Sequence, residues 1–148
     1  MNEQGPVEFN SLSSIYVDSN VFVYLFEGPP QFFASVKDFF EHAAKAGARL
    51  LSNELTLAEC IYKPSREDDI AMVAKYEALL EPGDEIGIIG LDGALAKRAA
   101  LAGGKQGLKL ADAIHFLSAL ESGCQFFVTA DTRVRSSPGL EVLNIRPQ

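Results

Sequence analysis

The chain has little of what several function classes require. Cysteine occurs twice in 148 residues, as Cys60 and Cys124, with no CxxC spacing. That excludes a disulfide scaffold and a thiolate zinc site. Both cysteines fall in apolar or helical stretches, which fits buried thiols in a reducing cytoplasm. Histidine also occurs twice, at His42 and His115, and tryptophan not at all. No apolar run reaches the roughly 18 residues that a membrane-spanning helix needs. Basic residues are the minority, 13 Lys and Arg against 20 Asp and Glu, for a net charge of -7. Such a balance argues against a protein that coats nucleic acid by bulk attraction. It leaves open a local acidic pocket that a cation neutralises. The opening Met1-Asn2-Glu3-Gln4-Gly5-Pro6 lacks the basic and apolar regions of a secretory leader, so a cytoplasmic location is expected.

What is present suffices for a packed core. The hydrophobic share is 47%, and the length suits one domain over residues 1–148, with 1–13 a loose polar lead-in. Short β-branched and aromatic runs at Ser14–Val17, Ala48–Leu51, Ile86–Ile89, Phe126–Thr129 and Val142–Ile145 read as buried strands. Between them lie helical patterns. Val21–Phe26 ends at Gly28-Pro29-Pro30. Residues 31–46 place Phe33, Val36, Phe39, Phe40 and Ala43 on one face. Ser52-Asn53 opens a helix over 54–62 that breaks before Pro64. Glu67-Asp68-Asp69 sits in the first turn of another, with Ile70, Val73, Ala74, Glu77 and Leu80 toward the core. Leu91–Ala102 ends at Gly103-Gly104, and Leu108–Glu121 at Gly123. Strands alternating with helices predict an α/β fold, a three-layer α/β/α domain around a mainly parallel five-stranded sheet. Ligands of such folds collect beyond the carboxyl ends of the strands.

Four acids fall at that edge. Asp18 follows the first strand, and Asp131 stands two residues after Thr129 at the end of the fourth. Glu59 rides the helix leaving the second strand. Asp112 lies among Leu110, Ala111, Ala113 and Ile114 near the start of the helix entering the fourth. Four carboxylates at close range repel, and a divalent cation resolves the conflict. Hard oxygen donors with no His/Cys cluster select Mg²⁺ or Mn²⁺ over Zn²⁺. An ion of this kind can activate water for in-line displacement at phosphorus. Each acid also has a purely structural reading. Asp18 can cap the next helix, Thr56-Leu57-Ala58-Glu59 matches a capping box, and Asp131 can shape a turn.

The segments Tyr16-Val17-Asp18-Ser19-Asn20, Ser52–Glu59, Leu110–His115 and Val128-Thr129-Ala130-Asp131, in that order, resemble the PIN-domain ribonucleases. The nearest likeness is to the toxin subunits of VapBC toxin–antitoxin pairs, over Ile15 to Ile145. The resemblance implies that Asp18, Glu59, Asp112 and Asp131 hold one or two Mg²⁺ or Mn²⁺ ions. It implies that Asn20 and Thr129 support the cluster by hydrogen bonds. It further implies cleavage of single-stranded or looped RNA, a homodimer, and inhibition by a small antitoxin.

The remaining polar and aromatic residues have more modest readings. Arg133 and Arg135 leave the acidic edge and are expected to bind flanking phosphates, with Lys97, Arg98, Lys105 and Lys109 as weaker candidates. His115 is read as a packing or polar contact, and His42 as a partner of a helix C-terminus. Phe32 falls off the helix stripe and is expected at a dimer or antitoxin surface. Two rival functions follow from the same residues. One is a signalling domain phosphorylated at Asp18, although the last strand ends Asn144-Ile145-Arg146 without the lysine that chemistry wants. The other is an RNA-binding scaffold with no catalysis.

Overall fold

The computed structural model describes residues 7–148. Its five strands are β1 (Ser14–Val17), β2 (Arg49–Asn53), β3 (Gly87–Ile89), β4 (Phe126–Thr129) and β5 (Glu141–Asn144). All pair in parallel, in the order β3-β2-β1-β4-β5. The chain runs outward from β1 to β3, then returns to the other side of β1 for β4 and β5. The direction therefore reverses between β1 and β4, where a crevice opens at the carboxyl edge.

Pleating decides which side chains face which layer. Ile15, Val17, Val128 and Leu143 pack with Val21, Phe22, Val36, Phe39, Cys60, Tyr76 and Leu80. These come from helices α1 (Ser19–Phe26), α2 (Phe33–Ala46), α3 (Glu54–Arg66) and α4 (Ile70–Leu80). On the other face Tyr16, Leu51, Phe127 and Val142 pack with Ala119 of α6 (Leu110–Glu121). Helix α5 (Gly93–Gln106) joins α6 through Ala99, Ala113 and Ile114. This is the three-layer α/β/α arrangement expected from the alternation of elements.

Several local expectations are corrected. Helix α3 runs through Pro64 to Arg66. A proline three residues from a helix end forfeits one hydrogen bond, and its burial offsets that loss. The N-cap of α3 is Asn53, the last residue of β2, whose side chain accepts from the Leu55 amide while Thr56 closes the capping box. Glu59 therefore has no capping role. Asp69 caps α4 by accepting from the Met72 amide, so Glu67 and Asp68 precede the helix. The buried face of α4 is Tyr76 and Leu80 rather than Ile70, which is 81% exposed, and Glu77 points to solvent. Helix α5 continues past Gly103-Gly104 to a left-handed cap at Gly107 (φ 71°). Gly103 is buried because α6 leaves no room for more, an added Cβ lying 2.5 Å from Ala113 Cβ.

Of the lead-in, residues 1–6 lie outside the described residues. The stretch 7–13 is pinned rather than loose. Phe9 is buried edge-on to Phe39 and Phe126, a contact worth about 2 kcal/mol by area alone. His42 Nε2 stands 3.1 Å from the Val7 carbonyl and its ring lies against Phe9, so it anchors the lead-in and not a helix end. Phe32, in a single 3₁₀ turn before α2, lies tilted against Tyr24 with ring centroids 4.4 Å apart, while Phe33 is 48% exposed. The two phenylalanines thus exchange the roles expected of them. Among the described residues no helix is long and apolar enough to cross a membrane.

Candidate active site

The β1–β4 register sets the centre of the site. Val17 pairs with Val128, so Asp18 and Thr129 emerge side by side at the crevice. The Asp18 amide donates to the Val128 carbonyl at 3.0 Å. Its Oδ1 accepts from the Ser19 amide at 2.8 Å, capping α1. Its Oδ2 accepts from the Thr129 hydroxyl at 2.8 Å and the Asn20 amide at 3.3 Å. Asn20 Nδ2 also donates to Thr129 Oγ1 at 3.1 Å, and Asn20 Oδ1 accepts from the Ala130 amide at 2.9 Å. Asn20 and Thr129 thus clamp Asp18 from both flanking segments. Asp18 is only 7% exposed. Burial raises its pKa, opposed by the nearby His115 and the Thr129 and Ser19 hydrogen bonds.

Tyr16 and Asp18 are two residues apart on one strand, so both face α6. Asp18, Asp112 and Asp131 line one cavity of about 410 Å³, together with Lys109, His115, Phe116, Arg133 and Arg135. The fourth acid stands apart. Glu59, on α3, reaches His115, which lines the cavity, and its own side chain is 34% exposed. His115 is buried, with Nδ1 2.7 Å from the Tyr16 hydroxyl and Nε2 on Glu59 Oε1. Burial lowers the His115 pKa, but the Glu59 hydrogen bond and the carboxylates of Asp18, Glu59 and Asp112 outweigh it, and the net shift is upward. The Tyr16 phenol is pushed up by burial and by Asp18.

Asp131 is engaged as well. Its Oδ1 accepts from the Arg133 amide and Nε, and its Oδ2 from Arg133 Nη2 at 2.8 Å. The guanidinium holds this carboxyl below its usual range. Asp131 therefore shapes this turn and also lines the cavity. Arg135 Nη1 donates to the Thr132 carbonyl at 2.6 Å. Arg98 is bound to Glu121 on the outer side of the α5–α6 pair, away from the cavity. Lys97 and Lys105 do not line it, whereas Lys109 does.

In this conformation, among the described residues, no three His, Cys, Asp or Glu side chains stand close enough to chelate a metal together. Glu59 contacts His115 through Oε1, and Asp131 is paired with Arg133. The donor set nonetheless suits a hard ion. Mg²⁺ keeps several waters and typically takes one or two protein carboxylates directly. The cavity offers Asp18, Asp112 and Asp131 around space that admits a hydrated ion. A second hollow, of about 520 Å³ between α2 and the chain after β5, is lined by none of the predicted site residues.

Sequence reasoning missed the Tyr16–His115–Glu59 chain. The i, i+2 spacing of Tyr16 and Asp18 and the i, i+3 spacing of Asp112 and His115 were the available signals. Neither reveals that Glu59 of α3 meets His115 of α6.

No curated protein matches the sequence. The family model of the PIN domain matches residues 15–139. Among solved structures, the chain is similar to VapBC2 from Rickettsia felis bound to a DNA fragment from its promoter, with TM-score 0.65 and 18% identity over 88% of this chain and 98% of that one. It is similar to VapC20 from Mycobacterium tuberculosis, a sarcin-ricin loop cleaving toxin, with TM-score 0.66 and 15% identity over 76% and 86% of the two chains. A toxin–antitoxin complex from Klebsiella pneumoniae gives 0.65 and 19% over 92% and 100%. At such identities the likeness is one of fold. The family match reaches from β1 through β4, and the reversal between β1 and β4 sets Asp18 beside Thr129 within that span, so this chain belongs to the PIN domain family.

Proposed function

We propose that this protein is a metal-dependent endoribonuclease and the toxin of a toxin–antitoxin pair. It acts in the cytoplasm as a homodimer restrained by a small antitoxin protein. The observation that carries the reading is the meeting of Asp18, Asp112 and Asp131 in one cavity whose rim carries Lys109, Arg133 and Arg135, within a PIN domain. A relative of the same fold is a sarcin-ricin loop cleaving toxin, and others are solved as toxin–antitoxin complexes.

Asp18, Glu59, Asp112 and Asp131 would hold Mg²⁺ or Mn²⁺, which when bound would supply water activation and neutralise charge at phosphorus. The protein's own groups do the rest. Thr129 and Asn20 keep the Asp18 carboxylate aimed into the crevice. Arg133 and Arg135 offer guanidinium groups to phosphates flanking the cleaved bond. An unpaired strand suits such a cavity better than a duplex, whose bases and backbone are already paired and stiff.

The test is cleavage of single-stranded and looped RNA by the full chain, with Mn²⁺, with EDTA, and as Asp112→Asn. Cleavage that needs Mn²⁺ and disappears in Asp112→Asn is the expected result. Full activity of Asp112→Asn, or in EDTA, would falsify the mechanism. The pairing of Asp131 with Arg133 of the same chain favours one second reading, an RNA-binding PIN domain without catalysis. RNA binding with no Mn²⁺ uptake selects that reading.

A further inference from the structure

The buried chain Tyr16–His115–Glu59 has a direction. In either protonation state, the His115 Nε2–H donates to Glu59, because a carboxylate oxygen can only accept. On the other side, Nδ1 of the neutral ring accepts from the Tyr16 hydroxyl at 2.7 Å. The ring is further fixed edge-on to Tyr16, which itself stacks on Phe127 at 5.3 Å. Tyr16 and Phe127 sit in the middle of paired strands. The imidazole is therefore anchored to the paired central strands, whereas Glu59 is partly exposed on a helix. Glu59 Oε1 is taken by His115, and Oε2 makes no hydrogen bond among the described residues. One oxygen is held and one is left free.

We propose that His115 is a positioning residue for the acidic centre, anchored by Tyr16 and fixing Glu59 through Oε1 so that Oε2 is presented to the cation. This rests on the nuclease reading above. A side chain such as Glu59, with three rotatable bonds, loses several rotamers on binding an ion. A preset rotamer removes that cost from metal binding. A purely structural role for His115 requires only that its two ring nitrogens be satisfied, and makes no demand on metal affinity.

Mn²⁺ titration of the full chain, read by electron paramagnetic resonance of the free ion, separates the two roles. Glutamine places its amide where the Nε2 of histidine stands, within reach of Glu59. Asparagine places its amide near Nδ1, within reach of Tyr16 only. His115→Gln is expected to bind Mn²⁺ within a few-fold of the wild type, and His115→Asn about 10- to 100-fold more weakly. In a Glu59→Gln background, His115→Asn should add no further loss. Tyr16→Phe, which keeps the ring stack, should weaken binding in the same direction even if an His115 variant fails to fold. Equal affinity in wild type and His115→Asn overturns the proposal, as does an equal loss in His115→Gln and His115→Asn, or no loss in Tyr16→Phe. Absence of Mn²⁺ binding by the wild type is a different failure, since it removes the acidic-centre reading on which the proposal stands.

Discussion

At the scale of single residues, Asp18 is held by hydrogen bonds from Ser19, Thr129 and Asn20 to its carboxylate. Its pKa is raised by burial, so the folded state resists its ionisation. For a carboxyl of this kind the penalty is absent below the unfolded pKa of about 3.9. It grows as pH rises through the window up to the raised folded pKa, and stays constant above that. Asp18→Asn removes the charge and leaves an oxygen to cap Ser19. In EDTA, thermal unfolding of Asp18→Asn is expected at or above the wild-type temperature at pH 7, with the difference shrinking toward pH 4. A variant melting well below wild type at pH 7 would show that the hydrogen bonds from Thr129 and Asn20 outweigh desolvation. Arg133 gives the opposite case. It is 73% exposed on its side chain, so Arg133→Ala should leave the unfolding midpoint close to that of the wild type. On the proposed nuclease function its effect belongs to the substrate. RNA binding should weaken, with the slope of log affinity against log salt shallower by about 0.7 for each phosphate that Arg133 no longer neutralises.

At the scale of elements, the α5–α6 contact places Asp112 and His115, and two neighbouring glycines measure how tightly. An added Cβ at Gly103 meets Ala113 at 2.5 Å, whereas at Gly104 it meets nothing within 4 Å. Alanine favours a helix by up to about 1 kcal/mol over glycine. Overpacking costs about 1–3 kcal/mol. Gly104→Ala is therefore expected to raise the urea midpoint and Gly103→Ala to lower it, although the two substitutions are chemically identical. From sequence, Gly103-Gly104 read as a helix stop, because glycine propensity is local and the close approach of α6 is not. Pro64 misled in the same way. The exchange of Phe32 and Phe33 has a similar origin, since the 3₁₀ turn before α2 rotates the stripe that regular spacing assumes.

At the scale of the whole molecule, charge and burial make two claims. On the proposed function, a cation bound among the carboxylates of the crevice offsets part of a net charge of -7 and relieves their mutual repulsion. Saturating Mn²⁺ is expected to raise the unfolding free energy, by about 2.7 kcal/mol at a hundred times its dissociation constant. Asp18→Asn should lose most of that gain in a calorimetric scan. Cys60 and Cys124 are free and buried. Burial pushes the Cys124 thiol up to about 11 and Cys60 higher still. Neither should react with a thiol reagent at pH 8 in the native protein, and both should react together once urea unfolds it.

The order of strands and helices, the α/β class and the placement of Asp18 and Asp131 after strands were legible in the residues, because hydrophobic period and capping chemistry act over a few positions. The clamp of Asn20 and Thr129 on Asp18 was anticipated through a resemblance, and the β1–β4 register supplies its physical cause. What only the tertiary structure decided is which charges meet across distant segments. His115 bridges Tyr16 to Glu59, and Asp112 shares a cavity with Asp18. These pairings depend on the β3-β2-β1-β4-β5 order and on the packing of α6 against the Tyr16 face. Electrostatic partners are chosen by distance in space, and no local property of a side chain carries that distance.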